Sequence, residues 1–264
     1  AGLFGGEDER RQAELVDLEA MESVRRRVAE LVQDEQTAAK LMPYFRMLCK
    51  RPSFHDEYLQ AYNRPNVTLV DTKGHGPDRV TETGVVVDGV EYELDCLILA
   101  TGFDASRGLL ASWGVDLFGQ NGQRLSEYWE KGMRTFHGVH VRNFPNLFFS
   151  SATQIAGPPN YTSAAAELGE HIAYVIGAAR RRGVSRVETS VESEESWVQA
   201  IHAAVPETHL EFFQNCTPGY YNNDGDLEDV RRLGANNYMA GAVYFFDLLR
   251  GWRRDDQLEG LELI

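Results

Sequence analysis

Apolar positions along the chain change their period several times, and each period predicts an element. Between residues 13 and 43, Leu15, Leu18, Val24, Val28 and Leu31 recur at three- and four-residue steps among charged neighbours. That spacing predicts an amphipathic helix, or two, closing near Pro43. Ser53 is a candidate N-cap for a short helix reaching Tyr62, which the following NRPN breaks. The run VTLVD at 67–71 predicts a short strand. Residues 80–102 predict two or three strands with turns at Gly84 and Asp88-Gly89, finishing in a buried strand over 94–100. FPNLFFSSA at 144–152 predicts another buried strand. A helix over 162–182 carries Ala164, Ala165 and Ala166 early and arginines late, which suits the helix dipole. A further helix begins near Glu192 and includes Trp197 and Ile201. AVYFFDLLRGWRR predicts a last amphipathic helix before an acidic tail. Strands alternating with helices predict an α/β fold.

Composition narrows the partners. The chain has 264 residues, 43% of them hydrophobic and 25% charged, enough for one large domain or two modest ones with real cores. A formal charge of −14 speaks against nucleic acid or an anionic membrane as main partner, since both reward a basic surface. No apolar run approaches the ~20 residues that span a bilayer. Cys49, Cys96 and Cys216 are scattered, with no CxxC or Cys/His ligand spacing. The expectation is no metal site, no disulfide framework and a reducing cytoplasm. No basic segment followed by an apolar core marks a signal peptide, and AGLFGGEDERRQ reads as an interior point of a longer polypeptide or a processed end.

Three stretches carry candidate chemistry. Lys50 and Arg51 stand before a proline in an otherwise acidic chain, as if facing something negative. In LDCLILATGFDAS a predicted buried strand ends in Ala-Thr-Gly, which puts Thr101 and Gly102 at a strand's C-terminal edge, where open α/β sheets bind ligands. The loop QIAGPPNYTS leads into a helix whose first residues, Thr162, Ser163 and Ala164, are small. A helix N-terminus with close backbone access suits an electron-rich ring carbonyl. Asn160 and Tyr161 are candidate pocket residues beside it. His137, His140 and His171 show no triad or metal spacing, and His171 reads as a helix residue packing in place.

Taken together, VRRRVAELVQDEQTAAKLMP, CKRPSFHDEYLQAYNRPNVTLVDT, ATGFD preceded by YELDCLIL, FPNLFFSS and SAAAELGEHIAYV, in this order along the chain, resemble the class B flavoprotein monooxygenases, specifically the Baeyer–Villiger monooxygenases. CTPGYYNNDGD and FFDLLRGWRRDDQLEGLEL look most like the branch acting on steroid-like and large-ring ketones. The resemblance implies FAD and NADPH as cofactors and oxygen insertion into ketones through a C4a-peroxyflavin, giving esters or lactones. It implies that Arg51 reaches toward the flavin and that Lys50 contacts the NADP phosphate side. A guanidinium stays charged at working pH, and its fork can hold an oxygen that becomes negative as the carbonyl is attacked. The resemblance also sets Thr101, Gly102, Thr162, Ser163 and Ala164 near the cofactor, and Asn160, Tyr161 and Cys216 near the substrate. Relatives often carry a mobile loop with a tryptophan where CTPGYYNNDGD falls; with Cys216 there or close by, that contact is not carried over.

The family's two glycine fingerprints and its FxGxxxHxxxW signature do not occur in the chain, and GHGPDR at 74–79 fails the G-x-G-x-x-G spacing. The expectation is therefore a C-terminal half that cannot hold either dinucleotide firmly alone. Residues 1–100 would form a helical insertion and return strands of the NADP domain. Residues 101–264 would form the C-terminal part of a FAD domain, in a flavoprotein with two dinucleotide-binding domains. The N-terminal half of the same enzyme, a ketone and O2 are the implied partners. Two other readings stay open: a flavin monooxygenase oxidising sulfur or nitrogen, and a catalytically silent interaction subunit.

Overall fold

The computed structural model describes residues 7–51, 53–102, 110, 114–157, 160–204, 207–226, 237–238 and 240–264. The Gly-rich start, Pro52, the end of ATGFD and Pro158-Pro159 fall outside the described residues. The chain divides into two compact units, one drawn from Gly5–Asp104 with Gly219–Tyr221, the other from Ala105–Pro218 with Asn222–Ile264.

In the unit containing the first hundred residues, helix α1 (Glu7–Leu31) leads to α2 (Glu35–Leu41). Asp34 caps α2, its carboxylate accepting from the Thr37 N–H at 2.8 Å. The apolar stripe is only half used: Val28 and Val32 are buried with Ala38, whereas Leu15, Leu18 and Val24 are exposed. The short helix α3 (Tyr58–Ala61) begins after Glu57, so Ser53 is not its cap. Strands β1 (Arg79–Val80), β2 (Gly84–Val87) and β3 (Val90–Glu93) form an antiparallel meander. Asp88 and Gly89 turn β2 into β3 with φ of 49° and 77°, the double left-handed turn that a two-residue hairpin selects.

The expected strands over 67–71 and 94–100 do not form. After β3 the last ladder bond is Leu94 N–H to Thr83 C=O at 2.9 Å, and beyond it Ile98 and Leu99 are 83% and 77% exposed. The reason is physical: an apolar run becomes a buried strand only between neighbouring strands, and among the described residues none pairs with 94–100. The run 144–152 behaves similarly, its pairing limited to an isolated bridge between Phe148 and His140.

The second unit is built around three helices. In α5 (Tyr161–Arg181), Ala164, Leu168, His171, Val175 and Ala178 follow three- and four-residue steps and are all buried. Trp197 and Ile201 of α6 (Val191–Ala203) and Phe245 and Leu249 of α8 (Ala242–Asp255) close on them, around Val139 and Ile155. A smaller core gathers Leu125 of α4 (Leu125–Tyr128), Trp129, Val141, Phe144 and Phe149. Helix α7 (Glu207–Gln214) precedes the turn at 215–226. The tail carries structure that its acidity hid: β5 (Leu261–Leu263) pairs antiparallel with β4 (Val187–Thr189), Val187 opposite Leu263. Three residues are too few for a period to be read in sequence.

Candidate functional site

The start of α5 is held from both sides. Asn160 caps it, its side-chain oxygen accepting from the Thr162 N–H at 3.0 Å and the Thr162 hydroxyl at 2.6 Å. The Tyr161 hydroxyl donates to the Ser150 carbonyl at 3.2 Å, tying the helix to the segment before the loop. Upstream, Gln154 is fully buried with a left-handed φ of 58°. Its side-chain oxygen accepts from Thr135 at 2.5 Å, its amide donates to the Met133 carbonyl at 2.6 Å, and its own carbonyl accepts from the Trp197 indole at 3.2 Å. Gly138 lets this loop come close: a Cβ there would stand 2.3 Å from Ile155 Cγ2. These bonds replace the conformational freedom that a loop otherwise keeps.

Of the residues singled out in sequence, Asn160, Tyr161, Thr162, Ser163 and Ala164 come together at this helix end, with Tyr161 to Ser163 exposed and Ala164 buried. Lys50, Arg51, Thr101 and Gly102 belong to the other unit. Arg51 is exposed, one residue beyond Lys50, whose extended backbone ends the 3₁₀ turn Met47–Cys49, and it makes no ion pair among the described residues. Lys50 is half-buried, its Nζ 5.8 Å from the centre of the Phe45 ring, within cation–π range. Thr101 and Gly102 are exposed, Gly102 with a φ of 87° and open space around it. Cys216 is half-buried after α7, and its carbonyl accepts from the Asn222 amide at 3.3 Å. Its sulfur is disulfide-bonded, which the scattered cysteines did not lead one to expect, so it offers no free thiol.

A cluster that spacing did not reveal lies behind α5. His137, His140 and His171 are buried, His171 within 5.4 Å and 6.0 Å of the other two ring centres. Trp252 packs 5.0 Å from His171. Burial disfavours the imidazolium form in each; neighbouring imidazoles add repulsion at His137 and His140, and the Arg253 charge does so at His171. His140 falls to about 3 and His171 to about 4. Among the described residues no group of side chains is arranged to hold a metal ion.

The sign of the pH effect follows. These pKa values are depressed on folding, so the unfolded chain binds protons that the folded chain refuses. Stability is full above about pH 6.5 and falls as pH drops toward 4, by up to about 1.4 kcal/mol per pH unit for each histidine. Urea unfolding midpoints at pH 7, 5.5 and 4.5 are expected to fall steadily, and His171→Phe to flatten the slope. Equal midpoints across this range would contradict neutral burial.

No family model matches the chain. The chain is 44% identical to neopentalenolactone D synthase of Streptomyces avermitilis over 95% of its length, covering 42% of that protein. It is 42% identical to the Baeyer-Villiger monooxygenase ATR8 of Stachybotrys chlorohalonatus over 97% of its length, covering 41% of that protein. Among solved structures, the polycyclic ketone monooxygenase of Thermothelomyces thermophila superposes with a TM-score of 0.85 at 35% identity, over 100% of this chain and 43% of that one. Cyclohexanone monooxygenase of Rhodococcus sp. Phi1 bound to NADP+ superposes with a TM-score of 0.78 at 30% identity, over 95% and 45%. The chain is thus homologous to the Baeyer–Villiger monooxygenases, and it spans 41% to 45% of the length of these relatives. No helix among the described residues is long and apolar enough to cross a membrane.

Proposed function

We propose that the chain is the C-terminal part of a FAD- and NADPH-dependent Baeyer–Villiger monooxygenase that inserts one oxygen atom of O2 beside a ketone carbonyl, giving an ester or lactone. The observation that carries this reading is 42% identity with a Baeyer-Villiger monooxygenase over 97% of the chain. On this reading residues 1–100 are a helical insertion and return strands of the NADP domain, and residues 101–264 complete the FAD domain. The exposed apolar run at 94–100 supports it, since that run then finds its neighbouring strands in the N-terminal part.

The residues present fit part of a flavin site. The helix end at Asn160 to Ala164 has small side chains at Thr162, Ser163 and Ala164 and follows a loop pinned through Gln154, and would border the ring system. The pyrophosphate turns would come from the N-terminal part. When bound, the flavin supplies oxygen activation and NADPH the reducing hydride. What this chain contributes is positioning and charge. The start of α5 would offer its positive dipole end to the ring edge, the Thr162 and Ser163 N–H groups being already bonded to Asn160. Lys50 would neutralise a phosphate of NADPH, and the Arg51 N–H groups would donate to the substrate oxygen as it becomes negative. Asn160, Tyr161 and Cys216 would lie toward the substrate.

The test is the full-length enzyme supplied with NADPH, O2 and either a fused-ring ketone or a matched sulfide. A yellow protein that consumes NADPH and yields ester or lactone is expected. Sulfoxide from the sulfide with no ester from any ketone would favour heteroatom oxidation instead. A colourless protein that leaves NADPH untouched would make it a silent subunit.

A further inference from the structure

A depression in the second unit belongs to none of this chemistry. It has a volume of about 390 Å³ and is lined by Phe136, Glu192, Ser193, Ser196, Trp197, Trp252 and Glu259. Both indole N–H groups are already used: Trp197 donates to the Gln154 carbonyl at 3.2 Å and Trp252 to the Glu259 carbonyl at 2.8 Å. Neither indole N–H is left for the depression. One face of Phe136 stacks on His137 at 3.8 Å and one face of Trp197 on Tyr238 at 5.4 Å, which leaves one ring face of each to a ligand. Two carboxylates, Glu192 and Glu259, stand at the same walls, no lysine or arginine lines the space, and neither carboxylate has an ion-pair partner among the described residues.

Behind these walls sits a buried polar group with nothing to bond. His137 is 4% exposed, and its Nδ1 has no hydrogen-bond partner. Its ring stacks on Phe136 at 3.8 Å and meets the edges of Trp197 and Trp252 at 5.2 Å and 5.6 Å, so it packs against all three aromatic walls. Burial keeps this imidazole neutral, so it adds no positive charge to the site.

We infer that this depression is a binding site for a small organic cation, an alkylated or primary ammonium, held by the faces of Trp197, Trp252 and Phe136 and neutralised by Glu192 and Glu259. Aromatic faces attract ammonium groups by about 0.5–2 kcal/mol each, more where water is excluded. Carboxylates at the rim add an attraction that salt weakens. A neutral or anionic ligand would forgo the second contribution, and an anion would meet repulsion.

Choline titrated into the full-length enzyme at low salt, followed by calorimetry, is the test, with 3,3-dimethylbutan-1-ol as its uncharged carbon isostere. Choline is expected to saturate one site with a dissociation constant below about 1 mM, and the isostere to bind at least about tenfold more weakly. Glu192 and Glu259 are both exposed, so the E192Q/E259Q double variant should fold and keep its ketone oxygenation while losing about tenfold in choline affinity. Trp252→Phe, which keeps a ring against His171, should weaken choline several-fold. Choline that fails to saturate, an isostere that binds equally well, or a double variant with unchanged affinity would each overturn the assignment. Loss of ketone oxygenation in an otherwise choline-binding enzyme bears on the monooxygenase reading alone.

Discussion

Arg51→Ala in the full-length enzyme is expected to lower ester formation by about 10²–10³-fold while the protein stays yellow. The expectation rests on the proposed monooxygenase reading and on what a guanidinium does that other side chains do not. As the ketone is attacked, its carbonyl oxygen gains a full negative charge. A donor already in position stabilises that charge without reorganising at the moment of reaction. Arg51 is exposed and held by no ion pair among the described residues, just beyond the tight turn Met47–Cys49. Its donors are therefore available to a ligand. Arg51→Lys should recover little, because a flexible point charge lacks the planar fork. The loss should fall on kcat more than on flavin content, which an absorbance spectrum of the purified variant reads directly. Near-normal ester yield from the alanine variant would remove Arg51 from the chemistry.

Glu167→Ala should cost about 3–5 kcal/mol, the largest stability loss expected of one substitution here. Glu167 projects from α5 and is 5% exposed. One carboxylate oxygen accepts from Arg250 at 2.7 Å and 3.1 Å, and the other from Arg253 at 2.5 Å. Both arginines lie on α8, so a single carboxylate joins the two helices. Arg253 has only 13% of its side chain exposed, and its Nη1 is already without a hydrogen-bond partner. Removing the carboxylate leaves the largely buried Arg253 with the exposed Glu170 carboxylate at 3.8 Å as its remaining ion pair among the described residues, beside His171, whose pKa that cation already lowers. A thermal melt should show the unfolding midpoint falling by roughly 10 °C. Replacing all three charges by apolar residues of similar size should restore most of the loss, since the pair's desolvation penalty goes with its attraction. A midpoint within a degree of the parent for Glu167→Ala would show that this ion pair is not holding α5 against α8.

Helices were the most legible part of the sequence, because a helix satisfies its backbone within itself and its buried face repeats every three or four residues. Residues 162–182 and 242–254 were read almost to their ends, and the Asp88-Gly89 turn was plain from two residue types that tolerate left-handed backbone. Strands were not. Residues 94–100 have the composition of a buried strand and are exposed, because the hydrogen-bond partners that make a strand lie on other segments. The pairing of β4 with the acidic tail was hidden for the converse reason: its partners are close in space and over seventy residues apart in sequence.

The site divides along the same line. Candidate cations, the capped helix start and the small residues after it could be named from order and type, since each depends on neighbours within a few residues. Thr135, Gln154 and Trp197 as the bonds that hold the loop, the three mutually buried histidines, and two tryptophans lining one depression with Glu192 and Glu259 emerge only on folding. Local backbone preference is written into consecutive residues. Burial, and the pKa values and contacts that burial produces, belongs to groups that the chain brings together from far apart.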